Sequence, residues 1–367
     1  MSQRSPTLSL ALLLIALLSS LIGGCGKGSG QSDGSADPRN PYQPNPSGGV
    51  GTLEANKNLA ILQQRFSSAV ISPTPWATYW WPYTTNGIEA AAAKYDAVRS
   101  SGAAAWERGH HGQGLGDVAD WWGHCNGWAA AALLTPEPRS STAVNGVTFG
   151  IGDRKALLSE TFLEVTGDFL GTRVEDPNDF SSEAFKDVHP AQFYLMLTHL
   201  MGNQKRGVII DRYTGYQVWN YPLVAYATEP IRANDYLGAD PRFPDVHRVN
   251  VTTTIWWPNP NVDPDVLTPS FSPSNPDEIF ESRTLKYELW LDAAPKFDGS
   301  GKLISSGDII LSKEAGRVVG GQWKNGSLPA ANSHPDFMWV PTGYSQASGY
   351  KNPQLDDAWV VSNMSGR

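Results

Sequence analysis

The chain has 367 residues, of which 40% are hydrophobic and 17% are charged, and its formal net charge is −8. This length allows one large domain or two ordinary ones with a sizeable core, and the hydrophobic share excludes a wholly disordered chain. An excess of 36 acidic over 28 basic residues argues against a nucleic-acid partner, because no extended basic surface is expected. Two cysteines exclude a disulfide scaffold and a zinc site built from several cysteines.

The first 24 residues have the pattern of an export signal. Arg4 supplies a positive charge, and residues 8–18 form an apolar run shorter than the roughly 20 residues that cross a bilayer. An aliphatic residue and two glycines then precede Cys25, which resembles the bacterial lipoprotein box. The box implies that residues 1–24 are a lipoprotein signal peptide and that Cys25 is lipidated. We expect an exported protein, anchored at the outer membrane or the cell surface; the alternative is ordinary cleavage near Gly24.

The segment after Cys25 predicts a tether. Residues 26–51 are almost entirely Gly, Ser, Pro, Asn and Asp, with too little apolar surface to offset the entropy of ordering. Residues 25–52 are therefore interpreted as the lipidated cysteine and a flexible linker. No comparable linker interrupts the rest of the chain, so residues 53–367 are predicted to form one domain.

Helices are predicted mainly in the first half of this domain. Helical spacing of apolar residues and Ala-rich composition predict five of them, over residues 53–70, 89–99, 125–134, 153–165 and 190–201. Pro136 stops the third helix. Residues 106–123 are interpreted as a Gly-rich loop that contains His110 and His111.

The second half predicts strands. β-Branched and aromatic residues cluster between Gly, Pro and Asn turns at residues 208–211, 217–226, 246–257, 287–292 and 317–323. Residues 259–275 form a Pro-, Asn- and Ser-rich insertion. Helices first and antiparallel strands afterwards predict an α+β fold.

Cys125 is the only cysteine of the predicted domain. It follows a Gly-containing loop and opens a predicted helix, whose first N–H groups favour a thiolate. The helix terminus contributes only about 0.3–1 kcal/mol, so an imidazole partner is also required for a nucleophile. The alternative is a buried, inert thiol. The spacing of Gly, Cys and Trp around Cys125 also resembles the nucleophile turn of papain-like peptidases and animal transglutaminases.

Further motifs in collinear order resemble the transglutaminase elicitor family, which includes oomycete cell-wall enzymes and bacterial lipoproteins. They span residues 72 to 340, nearly the whole predicted domain, and at least seven of the 14 tryptophans lie in them. The matching segments are Pro75-Trp76 with Tyr79-Trp80-Trp81-Pro82, Trp121-Trp122-Gly123-His124-Cys125, Asn145 to Phe149, Asp153 to Leu158, Asp211 to Pro222, Gly320 to Trp323 and His334 to Trp339.

The family resemblance implies a function. It implies protein-glutamine γ-glutamyltransferase (transglutaminase) activity on a papain-like fold, with Cys125 as the nucleophile. Its partners would be glutamine side chains of proteins or peptides and lysine or other amines. No cofactor is expected, and calcium dependence is left open.

The sequence also departs from the family. The family has Phe-His and then Leu-Thr-Asn where this chain has Phe193-Tyr194 and Leu197-Thr198-His199. The family's elicitor core, Val-Trp-Asn-Gln-Pro-Val, has Asn220-Tyr221-Pro222-Leu223 as its counterpart here. If the replaced histidine is catalytic in relatives, this chain has moved its base or lost the activity.

The base must therefore be chosen among seven histidines. His334 ranks first because it lies in a family block, and His247 and His189 follow because each begins a predicted strand or helix. His124 points away from its neighbour Cys125 in most backbone geometries and is interpreted as a loop hydrogen-bonding residue. His110 and His111 are expected at the surface, and His199 on a helix, where it is satisfied or exposed.

The carboxylate that orients the base is predicted to be Asp211, which ends an apolar strand, with Asp336 and Asp292 as alternatives. Residues 298–301 (Asp-Gly-Ser-Gly) signal a turn and are a weak calcium motif. No group of side chains shows metal-ligand spacing, so no metal site is expected. Two other functions stay open: a cysteine peptidase or amidase that uses the same residues with water, and a catalytically silent binding module.

Overall fold

The structure is a computed structural model. It describes residues 56–171, 188–212, 217–311, 321–324, 334–344 and 350–366. The predicted signal peptide, lipidated Cys25 and linker lie outside the described residues. Those assignments, and the single-domain boundary at residue 53, stay predictions.

Seven α-helices form in the described part of the chain. They are α1 (Leu59–Phe66), α2 (Glu89–Arg99), α3 (Ala103–His110), α4 (Cys125–Leu134), α5 (Ile151–Thr161), α6 (Pro190–Leu195), which continues as a π-helix (Met196–Asn203), and α7 (Asp357–Met364). The predicted bounds of α2 and α4 are confirmed, because Ala-rich composition and a following turn define both helices locally.

Fourteen strands form in the described residues: β1 (Ser68–Val70), β2 (Thr142–Val144), β3 (Val147–Phe149), β4 (Val165–Gly171), β5 (Ile209–Asp211), β6 (Asn220–Pro222), β7 (Ala225–Thr228), β8 (Tyr236–Ala239), β9 (His247–Pro258), β10 (Phe280–Leu291), β11 (Lys296–Phe297), β12 (Leu303–Ser305), β13 (Gln322–Trp323) and β14 (Phe337–Tyr344). The predicted strand at 287–292 is the end of the longer β10. Most of the segment predicted at 317–323 lies outside the described residues.

Two antiparallel sheets organise these strands. The larger has the order β1-β7-β9-β10-β13, with β8 also paired to β9, and the smaller has the order β4-β14-β5-β6. Two hairpins, β2-β3 and β11-β12, stand apart. Helices combined with antiparallel sheets confirm the α+β class.

Three predictions at the helical end of the domain were wrong in part. Ser68–Val70 is a strand paired with β7 rather than the end of α1. Val165 begins β4 rather than ending α5, and β4 then pairs with β14 near the other end of the chain. The first residues of the loop predicted at 106–123 belong to α3, which ends at His110. Apolar spacing alone does not separate a helix end from a short strand that a distant partner completes.

Helix α4 connects the helices to the smaller sheet. It packs against α5 on one side and against β6 and β14 on the other. Gly127 makes the close approach to α5 possible, since a Cβ there would lie 2.0 Å from the Ser159 carbonyl oxygen. Among the described residues, no helix combines the length and apolar character needed to cross a membrane.

The contact between α4 and α5 predicts the effect of a single methyl group. Gly127→Ala would force the helices apart, and we expect the free energy of unfolding to fall by about 1–3 kcal/mol. Gly109→Ala in α3 is the matched control, because a Cβ there meets no atom within 4 Å and helix propensity favours alanine by about 1 kcal/mol. Urea denaturation measures both. Equal stability changes in the two variants would contradict the proposed close approach.

Candidate functional site

Cys125 is the first residue of α4 and is fully buried. Its Sγ atom lies 3.9 Å from the carbonyl oxygen of Val218, in the segment between β5 and β6. The first N–H groups of a helix have no acceptors within the helix and form its positive end. The thiol therefore sits where a thiolate and a developing oxyanion are both favoured.

Two tryptophans pack together near the residues that flank this thiol. The Trp80 ring closely covers Gly123, where a Cβ would lie 2.5 Å from the indole. Trp219 follows Val218, and its ring meets that of Trp80 edge to face, with centroids 5.1 Å apart. The pair joins the loop before α4 to the β5–β6 segment, whose Val218 carbonyl oxygen meets the buried thiol.

Asp211, the predicted orienting carboxylate, lies at the end of β5 and is fully buried. Its Oδ1 accepts a hydrogen bond of 2.9 Å from the backbone N–H of Trp219. Cys125 and Asp211 thus contact consecutive residues, Val218 and Trp219, and the structure brings these two predicted residues to one segment.

His334, the predicted base, lies just before β14 and is buried. Its ring stacks on Trp323, with centroids 5.0 Å apart and an angle of 9°. The Trp323 indole donates to the Val188 carbonyl oxygen at 2.9 Å, and the Val188 N–H donates to the Asp336 carbonyl oxygen at 2.8 Å. His334, Asp336 and the residue before His189 therefore meet where β14 begins.

The sheet register relates this group to Asp211. Met338 pairs with Ile210, so one further step along the strands places Phe337 across from Asp211. Asp336 is the next residue. Two of the three carboxylates proposed to orient the base, Asp211 and Asp336, thus approach the same end of the smaller sheet. The third, Asp292, is exposed and accepts the Asp308 N–H at 2.8 Å.

The other two candidate bases are placed differently. His189 caps α6, where its ring accepts the Gln192 N–H at 3.4 Å, and burial lowers the pKa of His189 to about 3. His247 begins β9, and Trp257 lies ten residues further along the same strand. The Trp257 ring contacts the smaller sheet, with its centroid 5.9 Å from that of Tyr221 in β6. At about 3.3 Å per residue, His247 lies about 33 Å along the strand from that contact, and it bonds to the Tyr236 hydroxyl at 2.8 Å.

The position that carries histidine in the family is part of the core here. Tyr194 lies on α6 and is fully buried. Burial raises its pKa well above the ordinary value, and the nearby Tyr287 and Tyr226 of the larger sheet add to the rise. His199, at the second departure, bonds through Nε2 to the Asn56 carbonyl oxygen at 2.7 Å.

Two histidines near Cys125 form a group that the sequence did not reveal. His111 and His124 are buried, and their rings face the buried carboxylates of Glu107 and Glu160. The expectation of a surface position for His111 was therefore wrong, whereas the exposed His110 stacks on Trp106. The one signal of this group in the sequence is the spacing of Glu107 and His111, which are four residues apart. That spacing is informative only if residues 103–110 are interpreted as a helix.

The carboxylates determine the charge of these imidazoles. Burial lowers the pKa of His111, but the charges of Glu160 and Glu107 outweigh it and raise this pKa to about 9. For His124, burial is outweighed by hydrogen bonds to the same carboxylates, and the pKa rises to about 10. Burial raises the pKa of Glu160, and the two imidazoles then lower it well below its usual range.

The turn predicted at residues 298–301 is present in the structure. The Asp298 Oδ1 accepts the N–H groups of Ser300 and Lys302 at 2.8 and 2.9 Å. This carboxylate oxygen is thus engaged by its own turn, between β11 and β12.

Comparison with known proteins identifies relatives of this fold. Residues 100–243 match the sequence profile described as "Transglutaminase elicitor". The crystal structure of the GP42 transglutaminase from Phytophthora sojae is similar, with a TM-score of 0.59 and 19% identity over 86% of this chain and 96% of that chain. No curated protein matches the chain in sequence. The resemblance seen in the sequence motifs is confirmed, and the structural likeness extends it to the fold.

The tryptophan pair predicts how accessible Cys125 is. Trp219→Ala would open the segment over the thiol, so we expect alkylation of Cys125 by iodoacetamide at pH 7 to accelerate severalfold. Trp359→Ala is the matched control, because Trp359 is also partly buried but packs on Tyr95 and Phe149. Mass spectrometry of the Cys125 peptide follows the reaction. Equal acceleration in both variants would show that general loosening, not the Trp80–Trp219 pair, limits access.

Proposed function

We propose that this protein is a transglutaminase that uses the Cys125 thiolate to transfer the acyl group of a glutamine side chain to an amine. The observation that carries the proposal is the position of Cys125 as the first residue of α4, inside the segment that matches the elicitor family. The likeness of the fold to that of a transglutaminase supports it.

The proposed reaction has two steps. The Cys125 thiolate attacks the carboxamide carbon of glutamine, N–H groups at the start of α4 hold the oxyanion, and the base protonates the departing ammonia. The base then takes a proton from a lysine amine, which attacks the thioester and releases Cys125. An isopeptide bond replaces the amide, and one ammonia is released per bond.

The cover over Cys125 supports an amine rather than water as the acceptor. Because the thiol is fully buried and contacts the Val218 carbonyl oxygen, and the neighbouring Trp219 is held by Trp80, substrate must displace this segment, and the acyl-enzyme would form in a site shielded from water. A peptidase needs water at the same point. The tryptophan pair thus favours transfer over hydrolysis.

The base is proposed to be His334, with Asp211 as the orienting carboxylate. A cysteine that opens a helix packed on an antiparallel sheet, with a histidine before a strand of that sheet, supports the papain-like fold that the family resemblance implies. The α4 helix packs against β6 and β14, and His334 and Asp211 both lie at the end of that sheet where β14 begins. His247 is excluded from this role by its distance along β9.

The first test removes the nucleophile. We expect Cys125→Ser and Cys125→Ala to lower incorporation of a labelled amine into a glutamine peptide by about a thousandfold or more, because the intermediate no longer forms. Ammonia release measured in parallel should equal amine incorporation in the wild type.

Two outcomes would contradict the proposal. Peptide cleavage or ammonia release without amine incorporation would identify a peptidase or amidase. Equal behaviour of the wild type and both Cys125 variants would identify a binding module.

The second test distinguishes the histidines. His334→Gln should lower amine incorporation by about 10²- to 10⁴-fold and shift the pH dependence of Cys125 alkylation upward. His189→Asn keeps a helix-capping side chain on α6 and should change the rate less than about tenfold. His110→Gln, on an exposed ring, is the control for surface changes. A larger loss in His189→Asn than in His334→Gln, with both variants folded by circular dichroism, would transfer the role of base to His189.

A further inference from the structure

We propose that Glu107, His111, His124 and Glu160 form a binding site for one divalent transition-metal ion of the Zn²⁺ class. The His124 Nε2 atom lies 2.7 Å from a Glu160 oxygen and 3.0 Å from a Glu107 oxygen. The His111 Nδ1 atom lies 3.2 and 3.4 Å from the same two oxygens. All four atoms lie within 4.8 Å of one another.

These separations fit one central ion. With bonds of about 2.0–2.1 Å, the ligand atoms of a tetrahedral zinc site are about 3.3 Å apart. Each ring nitrogen here faces both carboxylate oxygens at similar distances, so the four atoms converge on a point. If the group were only two separate ion pairs, each ring nitrogen would need to approach one carboxylate oxygen and not both.

The outer hydrogen bonds orient all four groups toward that point. The far nitrogen of His111 lies 2.9 Å from the Tyr350 carbonyl oxygen, and that of His124 lies 3.1 Å from the Trp81 carbonyl oxygen. A carbonyl oxygen only accepts, so each far nitrogen carries a proton. Once the near nitrogen releases the proton it shares with the carboxylates, it can present its lone pair to an ion.

Asn352 completes this outer set. Its backbone N–H donates to the second oxygen of Glu160, and its side-chain amide donates to the second oxygen of Glu107 at 3.1 Å. Each carboxylate thus keeps one oxygen directed inward. Carbonyl and amide partners behind the ligands are the usual surroundings of a protein-bound metal.

Burial and charge agree with a divalent ion. The exposed fractions of the four side chains are 0%, 4%, 0% and 1% in chain order. Two buried carboxylates need compensating charge, and a doubly charged cation would supply it in place of the protons that the two imidazoles release on binding. Two imidazole nitrogens select a transition ion over calcium or magnesium, which prefer oxygen ligands throughout.

The proposed ion would position the nucleophile. His124 is the residue before Cys125 and caps α4, while the other ligands belong to α3, its C-cap and α5. The ion would therefore tie three helices together at the start of α4. Gly87 closes the site from outside, because a Cβ there would lie 2.7 Å from the His124 ring.

Metal analysis of the purified full chain tests this proposal. After equilibration with Zn²⁺ and gel filtration, we expect about one ion per chain in the wild type and in His110→Asn, and loss of most of it in His111→Asn. Co²⁺ in place of zinc should give the d–d absorption of a four-coordinate site without a sulfur-to-cobalt charge-transfer band. Removal of the ion by a chelator should lower the melting temperature of the wild type, and Zn²⁺ should restore it.

Several results would overturn it. The first is a wild type that retains neither Zn²⁺ nor Co²⁺. The second is a folded His111→Asn variant that binds as much metal as His110→Asn. The third is a sulfur-to-cobalt charge-transfer band that disappears in Cys125→Ser, which would make Cys125 a ligand. Because Cys125→Ser should keep the ion, the metal result does not depend on the transamidation assay: absence of the proposed activity would leave the metal result intact.

Discussion

The start of α4 is the constraint on which the candidate site depends. The His124 N–H donates to the Trp80 carbonyl oxygen at 2.8 Å, and its ring lies against the buried Glu160. Two residues beyond Cys125, Gly127 allows α5 to approach so closely that no side chain fits between the helices. The thiol is thereby held between a charged buried group and the smaller sheet. Its position follows from packing on both sides and not from its own contacts.

Local structure was predictable where the chain needs no distant partner. The bounds of α2 and α4 follow from runs of alanine and the residues that end them. The pairing of β4 with β14 joins residues 165–171 to residues 337–344. No local pattern encodes a contact across so many residues, so Val165, the first residue of β4, is predicted at the end of a helix. The smaller sheet therefore combines strands from both halves of the domain, although the sequence predicts helices in the first half and strands in the second.

The candidate site was predictable only through its rarest residue. Cys125 stands out in the sequence because it is a single cysteine at the start of a helix, where the backbone N–H groups favour its thiolate. Glu107 and Glu160 resemble ordinary charged residues in the sequence, where such residues are usually solvated. Their burial depends on His111 and His124 from other segments. A buried charge is stable only with its partners in place, so beyond the four-residue spacing of Glu107 and His111, no residue of this group signals the others until the helices are assembled.

The aromatic motif at residues 79–83 helps to hold His124, a member of the same buried group. Its backbone pairs with the segment before Cys125, since the Tyr83 N–H donates to the Trp122 carbonyl oxygen at 2.8 Å. Trp81 adopts the left-handed region, with φ of 44°, which costs a bulky residue about 1 kcal/mol or more. The Trp81 carbonyl oxygen lies 3.1 Å from the His124 ring nitrogen. A strained backbone that orients a buried imidazole next to the proposed nucleophile suits a segment shaped for the site. It accounts for the place of these tryptophans in segments that resemble the elicitor family, although their rings belong to the core.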